Sequence, residues 1–448
     1  MKDCENKTLE ELKQYCRDNN IRGFSRKKKQ ELIYFIKEYH KNNSKDNDKI
    51  DDNDKIKKNN LKFIDLFCGI GGFHTVLKSL GHNCVFASDL DKNCREVYEN
   101  NYNLKPEGDI KNIEAKDIPD FDILCGGFPC QSFSNGGKKK AFDDARGLLF
   151  DEIIRIAKIK KPKFMFLENV KHILKVDNGK VFEYILNNLD KINYKIQIFQ
   201  MSPHQYGIPQ QRERVYFVCI RKDIYKDTDV NLIYDKEDEI DLDKYLDKKE
   251  DIDEEYFLKG DLLNVLNAWD EMIKIFEVDE KISPVILVNE FYRNYTDEEF
   301  NKLAKWKKDY ITKNKPLYKK YKKEWDKWYD KHKNLLSKRE IYAKFDWQVG
   351  KIKENDSIFK YFIQIRQSGI RVKKAKFFPT LVAISQIPIL GKENRYLTPR
   401  ECARIQSFPD NFKLSDNKKV SYKQLGNSVN VENVKNVIES TLKLYIKD

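Results

Sequence analysis

From Leu61 onward, short apolar runs alternate with segments of helical character. The runs are Lys62 to Phe67, Cys84 to Ser88, Phe121 to Cys125, Phe164 to Leu167, Ile196 to Met201 and Val215 to Ile220. Short strands separated by helices imply a mostly parallel sheet with both faces covered, because parallel neighbours need a crossover connection. The expected fold class is α/β. Ligands on such sheets bind beyond the carboxyl ends of the strands.

Two regions depart from this texture. Near the N-terminus, Thr8 and Glu11 form a capping box before Leu9, Leu12 and Cys16, which share one helical face. Ile21-Arg22-Gly23 reads as a turn, and Ser25 caps a second helix with Leu32, Phe35, Ile36 and Tyr39 on its apolar side. A charged stretch follows in which DNDKI occurs twice, at residues 46–50 and 52–56; with almost nothing to bury, it is expected to be a disordered linker. The second region, Lys222 to roughly Lys376, is rich in Lys, Asp, Tyr and Trp. It is expected to be largely helical and broken near Pro316. Its aromatics, Trp306 to Trp328 among many lysines, fit either an aromatic core face or a DNA-contacting surface. Order returns at Phe377-Phe378-Pro379-Thr380-Leu381. Thr398-Pro399-Arg400-Glu401 reads as a helix start with cap, proline and carboxylate in register, and a last helix is expected from Val431 to Leu444.

With 448 residues the chain is long enough for two or three domains. A formal charge of +13 fits a polyanionic partner, although a lysine-rich codon bias explains part of it. The nine cysteines show no CxxC and no paired short spacing, so neither a zinc ribbon nor a disulfide framework is indicated and no metal is expected. Cys84, Cys94, Cys125 and Cys219 read as buried, inert thiols. No apolar run reaches the ~18 residues of a membrane span. A chain in a reducing compartment, away from the membrane, is expected.

Candidate chemistry sits in the loops after the apolar runs. Asp65-Leu66-Phe67-Cys68-Gly69-Ile70-Gly71-Gly72 is a strand end and a glycine turn opening a helix, where backbone can approach a ligand closely. A phosphate loop is the competing reading, but the spacing is GxGG and no Lys-Ser/Thr follows. Asp89 and Asp109 place carboxylates after later strand positions, where ribose hydroxyls need acceptors. Gly126 to Ser134 presents a thiol, Cys130, on a glycine-led loop that can aim it at a planar base. Glu168-Asn169-Val170 offers a carboxylate, Gln210 to Arg214 two arginines, and Gly426-Asn427-Ser428-Val429 a final turn. Singly, each has a bland explanation: a common dipeptide, a helix-end polar pair, a solvated basic turn. Their joint occurrence in this order removes most of that weight.

These motifs resemble the cytosine-5 DNA methyltransferase family, of the type II restriction-modification kind, over roughly Leu61 to Asp448. The resemblance implies a Rossmann-like S-adenosylmethionine-dependent methyltransferase domain (61–225), a smaller target-recognition domain (226–420) and a C-terminal helix returning to the first domain (421–448). The first residues (1–43) look like a small helical SAP-type module, with a small helical bundle bearing a solvated basic face as the alternative, followed by the linker (44–60). By the same resemblance Cys130 is the nucleophile, Glu168 assists at ring nitrogen 3, Arg212 holds the cytosine carbonyl oxygen and Arg214 supports the pocket. Phe67 and Leu90 would contact adenine, Asp89 the ribose, and Asp109 with Ile110 the adenine edge. Gly69, Ile70 and Gly72 would line the methionine portion, with Pro129, Leu149, Asn427 and Val429 completing the cofactor site. Gln131, Ser132, Ser134 and Thr380 would touch DNA. Cys68 and Leu90 depart from the family pattern, which usually has Ala and often an aromatic residue there. The implied partner is double-stranded DNA, approached by a cytoplasmic monomer at the nucleoid or a site of replication, with a cognate restriction endonuclease as a candidate companion. An RNA (tRNA) cytosine-5 methyltransferase and a catalytically silent DNA-binding regulator are the alternatives.

Overall fold

The computed structural model describes residues 7–18, 28–29, 32–33, 36, 60–129, 149–232, 241–282, 285–382 and 386–446. Thr8 and Glu11 form the expected capping box at the start of α1 (Leu9–Asp18), and Leu12 and Cys16 pack on Leu32 and Ile36. Ser25, the Ile21–Gly23 turn and the linker repeats lie outside the described residues. Among the described residues no helix is long and apolar enough to cross a membrane.

The apolar runs form one six-stranded sheet: β1 (Lys62–Leu66), β2 (Asn83–Ser88), β3 (Ile123–Gly127), β4 (Phe164–Val170), β5 (Tyr194–Met201) and β6 (Arg214–Arg221). The order is β2-β1-β3-β4-β6-β5, with β1 to β4 parallel and β6 antiparallel to both of its neighbours. The reversal follows from a β5–β6 connection that carries no crossover helix, so the chain must turn back. Period-two alternation divides the strands between two cores. On one face Phe63, Ile123, Cys125, Phe166 and Val218 meet α2 (Gly72–Ser79) and α3 (Lys92–Tyr102). On the other, Ile64, Leu124, Met165, Leu167 and Phe217 meet α4 (Leu149–Lys160) and α5 (Lys180–Lys191). Cys94, Cys125 and Cys219 are buried, whereas Cys84 is half-buried and donates from Sγ to the Phe86 carbonyl.

The region after Lys222 contains a second six-stranded sheet that its composition concealed. Its order is β12-β11-β9-β10-β8-β7, built from β7 (Val285–Leu287), β8 (Lys344–Gln348), β9 (Phe362–Arg366), β10 (Gly369–Lys373), β11 (Ile389–Leu390) and β12 (Arg395–Tyr396). Strands this short carry little periodic signal. Residues of α6 (Gly260–Ile273), α8 (Lys305–Lys320) and α9 (Lys322–Ser337) share the core with one face of this sheet; the short α7 (Asp297–Lys302) precedes α8. Trp269 stacks on Phe345 at 4.4 Å, and Trp325 and Trp328 are buried, so most of the aromatics form a core face; Trp306 is exposed. The helix does not break at Pro316. It runs to Lys320, with Asn314 donating to the Val285 carbonyl of β7, and packing carries it past the missing N–H. The break falls at Tyr321, whose ring packs on Phe276 and whose hydroxyl donates to Glu280.

The chain returns through α10 (Pro399–Ile405), α11 (Lys418–Asn427) and α12 (Val431–Tyr445). Helix α12 packs on α2, with Val434, Val437 and Ile438 in the first sheet's core. At the start of α10, Glu401 closes the capping box with Thr398, accepts from the Asp247 amide, and forms a bidentate pair with Arg395 of β12 at 2.8 and 2.9 Å. Both members of that pair are fully buried. Glu401→Ala is expected to cost about 3–5 kcal/mol by stripping the buried Arg395 of its bidentate partner, leaving Glu393 on its Nε at 2.7 Å. Denaturant unfolding checks this, and a loss under 1 kcal/mol would contradict it.

Candidate active site

Strand β1 ends in a turn of left-handed backbone. Gly69 and Gly71 have positive φ (53° and 88°), as does Phe67 (53°). A Cβ on Gly71 would lie 2.3 Å from the Tyr102 ring, and the Tyr102 hydroxyl donates to the Gly71 carbonyl at 2.8 Å. Helix α2 opens at Gly72, where a Cβ would sit 2.4 Å from Val429 Cγ2. Two candidate cofactor residues from opposite ends of the chain therefore touch. At the end of β2, the Asp89 carboxylate accepts from the Gly69 and Asp91 amides, both at 2.8 Å. Burial pushes its pKa up, while those amides pull it down.

The thiol loop leaves β3 beside β4. Gly127 pairs in register with Glu168, and the Asn169 side chain donates to the Phe128 carbonyl at 2.8 Å, anchoring the stem at Pro129. Cys130, Gln131, Ser132 and Ser134 lie outside the described residues. Glu168 is buried, and Arg214 on the neighbouring antiparallel strand places Nε 3.1 Å from its Oε1. Burial raises the Glu168 pKa, with Arg214 and then Arg212 opposing it.

Arg212 reaches main chain on two returning segments. Its Nη1 donates to the Leu381 carbonyl at 2.6 Å, and its Nη2 donates to those of Gly426 and Ser428 at 2.8 Å each. Its forked donors are thus engaged by main chain, whereas Arg214 is the arginine beside the carboxylate. This difference in partners is invisible in the sequence, because it depends on where Leu381 and Gly426 return to in space.

A cavity of about 390 Å³ joins these parts. Phe67, Gly69, Ile70, Gly72, Asp89, Pro129, Glu168, Arg212, Arg214, Asn427 and Val429 all line it. Five candidates do not. Leu90 is exposed, Ile110 packs in the core with α4, and the Asp109 carboxylate caps its own turn by accepting from the Lys111 amide. Leu149 begins α4, and Thr380 lines a separate cleft with its hydroxyl on the Gln211 carbonyl. Sequence reasoning missed Asp91, Asn169 and Gln424 in the lining. Asp91 lay two residues from a chosen carboxylate, and Asn169 inside a chosen motif. Gln424 gave no signal.

The pattern of C-5 cytosine-specific DNA methylases matches residues 61–443. This chain belongs to that family. It is similar to the type II methyltransferase M.HhaI of Haemophilus parahaemolyticus, with 33% identity over 82% of this chain and 90% of that protein. It is also similar to M.DsaV of Dactylococcopsis salina, with 32% identity over 86% and 87%. Among solved structures, the methyltransferase EhMeth of Entamoeba histolytica aligns with TM-score 0.52 and 21% identity, over 87% of this chain and 99% of that one. The Dnmt2 methyltransferase of S. pombe aligns with TM-score 0.50 and 18% identity, over 86% and 99%. These last two likenesses bear on the fold alone. Residues 3–45 match a different pattern, that of the Rho termination factor N-terminal domain. The protein is a site-specific DNA cytosine-5 methyltransferase that uses S-adenosylmethionine.

The cavity suits that cofactor. Its volume falls within the usual range for small-molecule sites, about 300–1,000 Å³. Space beside Gly69 is open, and the Asp89 carboxylate keeps lone pairs free for hydroxyls. Gly72→Ala in this methyltransferase is expected to push the stiff Val429 side chain, at an overpacking cost of about 1–3 kcal/mol. Calorimetry should show S-adenosylmethionine binding weakened roughly 5- to 150-fold, by the equivalence of about 1.4 kcal/mol and tenfold, and the added change Val429→Ala should recover most of it. Unchanged binding in the single variant would remove the contact from the cofactor site.

Proposed function

We propose that this methyltransferase acts through a transient covalent bond between Cys130 and carbon 6 of a flipped cytosine. The observation that carries the reading is the Glu168–Arg214 pair, set in one cavity with the glycine turn and the stem of the Cys130 loop. A thiolate adding to carbon 6 breaks the ring's aromaticity and moves an electron pair toward carbon 5. Bound S-adenosylmethionine supplies the electrophilic methyl group that carbon 5 takes. Glu168, whose pKa burial raises, donates in its protonated form to ring nitrogen 3 as charge builds there. Arg214, rather than Arg212, holds the cytosine carbonyl oxygen, while Arg212 fixes the surrounding main chain. A base then takes the proton from carbon 5, the C–H electron pair restores the C5–C6 double bond, and Cys130 leaves as thiolate. The base must be everted to reach these groups, at a cost of a few kcal/mol offset by contacts in the pocket.

Around this centre, the proposal keeps the cofactor assignments of the cavity-lining residues. Leu90, Asp109 and Ile110 belong to an adenine end beyond the cavity. The division into a catalytic domain, a recognition domain and a SAP-like N-terminal module is part of the same reading. So are Gln131, Ser132, Ser134 and Thr380 as DNA contacts, a monomeric cytoplasmic enzyme, and a cognate restriction endonuclease.

Cys130→Ser should abolish turnover while leaving cofactor binding intact; residual wild-type turnover would reject the nucleophile. Glu168→Gln should slow single-turnover methyl transfer by about 10²-fold. Protonated Glu168 is present below its raised pKa and lost above it, so its contribution falls as pH rises through that value. The variant's rate profile should therefore lack the alkaline decline of the wild type, and an unchanged profile would count against this role. Deleting residues 1–60 should weaken DNA binding and flatten its salt dependence with little effect on methyl transfer. An identical slope in a salt titration would leave that segment without a DNA role.

A further inference from the structure

The second sheet has two unlike faces. Phe345 and Trp347 of β8, Ile363 of β9, and Ile370 and Val372 of β10 point into the core shared with α6, α8 and α9. The intervening positions, of opposite pleat, carry Asp346 and Gln348, Gln364 and Arg366, and Arg371 and Lys373. Phe362 shares this second face and packs on Phe378 at 4.9 Å, within the core of the catalytic sheet. The polar face is therefore the one turned toward the catalytic unit.

A cleft of about 260 Å³ opens over it, lined by Gln348, Gln364, Arg366, Arg371, Lys373 and Gln386 together with the Pro379–Val382 segment. No carboxylate lines it among the described residues. That segment is tied to the active site. The Phe378 amide donates to the Pro209 carbonyl at 2.7 Å, the Thr380 hydroxyl to the Gln211 carbonyl, and Arg212 to the Leu381 carbonyl.

Arg371 is the best prepared donor in this cleft. It pairs in register with Asp346 on one neighbouring strand and Gln364 on the other. Its Nε donates to Asp346 Oδ2 at 2.5 Å, and the Asp346 side chain is almost fully buried, whereas that of Arg371 is a quarter exposed. The Gln348 amide also donates to Asp346, and the Gln364 amide is held on the Gln386 carbonyl at 3.1 Å. Among the described residues no acceptor takes Nη1 or Nη2 of Arg371. An arginine oriented through Nε presents two parallel N–H donors, the geometry that matches O6 and N7 of guanine in the major groove.

We propose that Arg371, oriented by Asp346, reads one guanine of the recognition sequence. The proposal rests on the enzyme's action on duplex DNA. The test is to methylate a randomised duplex library with the full-length enzyme and its variants, and to read the methylated cytosines by bisulfite sequencing. Arg371→Ala should relax the preference at one guanine position by about 10- to 100-fold, with the other positions unchanged. Arg371→Lys keeps a cation beside Asp346 but lacks the fork, and should relax the same position. Asp346→Asn should do so partially. Cofactor binding, measured by calorimetry, should be unaltered in all three. A uniform fall across all sequences would make Arg371 a phosphate contact and overturn the proposal. So would an unchanged preference in Arg371→Lys. Wild-type activity on the library is scored first, so either result counts against Arg371 and not against the cysteine chemistry.

Discussion

A single buried guanidinium, that of Arg212, holds together three parts of the chain that meet at the active site. It starts two residues before β6, and its donors reach the carbonyls of Leu381, Gly426 and Ser428. Hydrogen bonds from a charged donor contribute about 1.5–3 kcal/mol each, and here they also satisfy main-chain acceptors that have no strand partner. Through them the connection from β10 to β11 and the last turn before α12 are set against the catalytic strands. Val429 can then close on Gly72, and the cavity acquires its far wall.

Two carboxylates, half-buried Asp89 and buried Glu168, divide the cavity chemically. Asp89 is held by backbone amides, which keep its oxygens oriented beside the glycine turn. Glu168 faces arginine instead, so burial and opposite charge compete over its proton. A group balanced in this way suits proton donation to a substrate ring, whereas an amide-bound carboxylate suits fixed acceptance from hydroxyls. The same residue type thus serves two ends of one pocket through environment alone.

The second sheet follows a simpler rule. Its apolar face is closed by helices rich in Trp and Tyr, and its other face keeps a row of Arg, Gln and Lys toward the catalytic unit. The aromatic residues that looked able to contact DNA, Trp325 and Trp328, are instead buried behind the sheet. What remains open toward the active site is planar and rich in hydrogen-bond donors.

Local sequence determined the six catalytic strands, the glycine turn and the capping boxes at Thr8 and Thr398, because each depends on neighbours within a few residues. It also placed Glu168, Asp89 and Gly72 at strand ends where a pocket forms. It could not determine the reversed strand β6, the hidden second sheet, or the continuity of α8 through Pro316, since these follow from long-range pairing and packing. Nor could it tell Arg212 from Arg214. Two arginines two residues apart have the same chemistry on paper. Only the returning carbonyls of residues 381, 426 and 428 bind one to the scaffold and leave the other facing the buried acid.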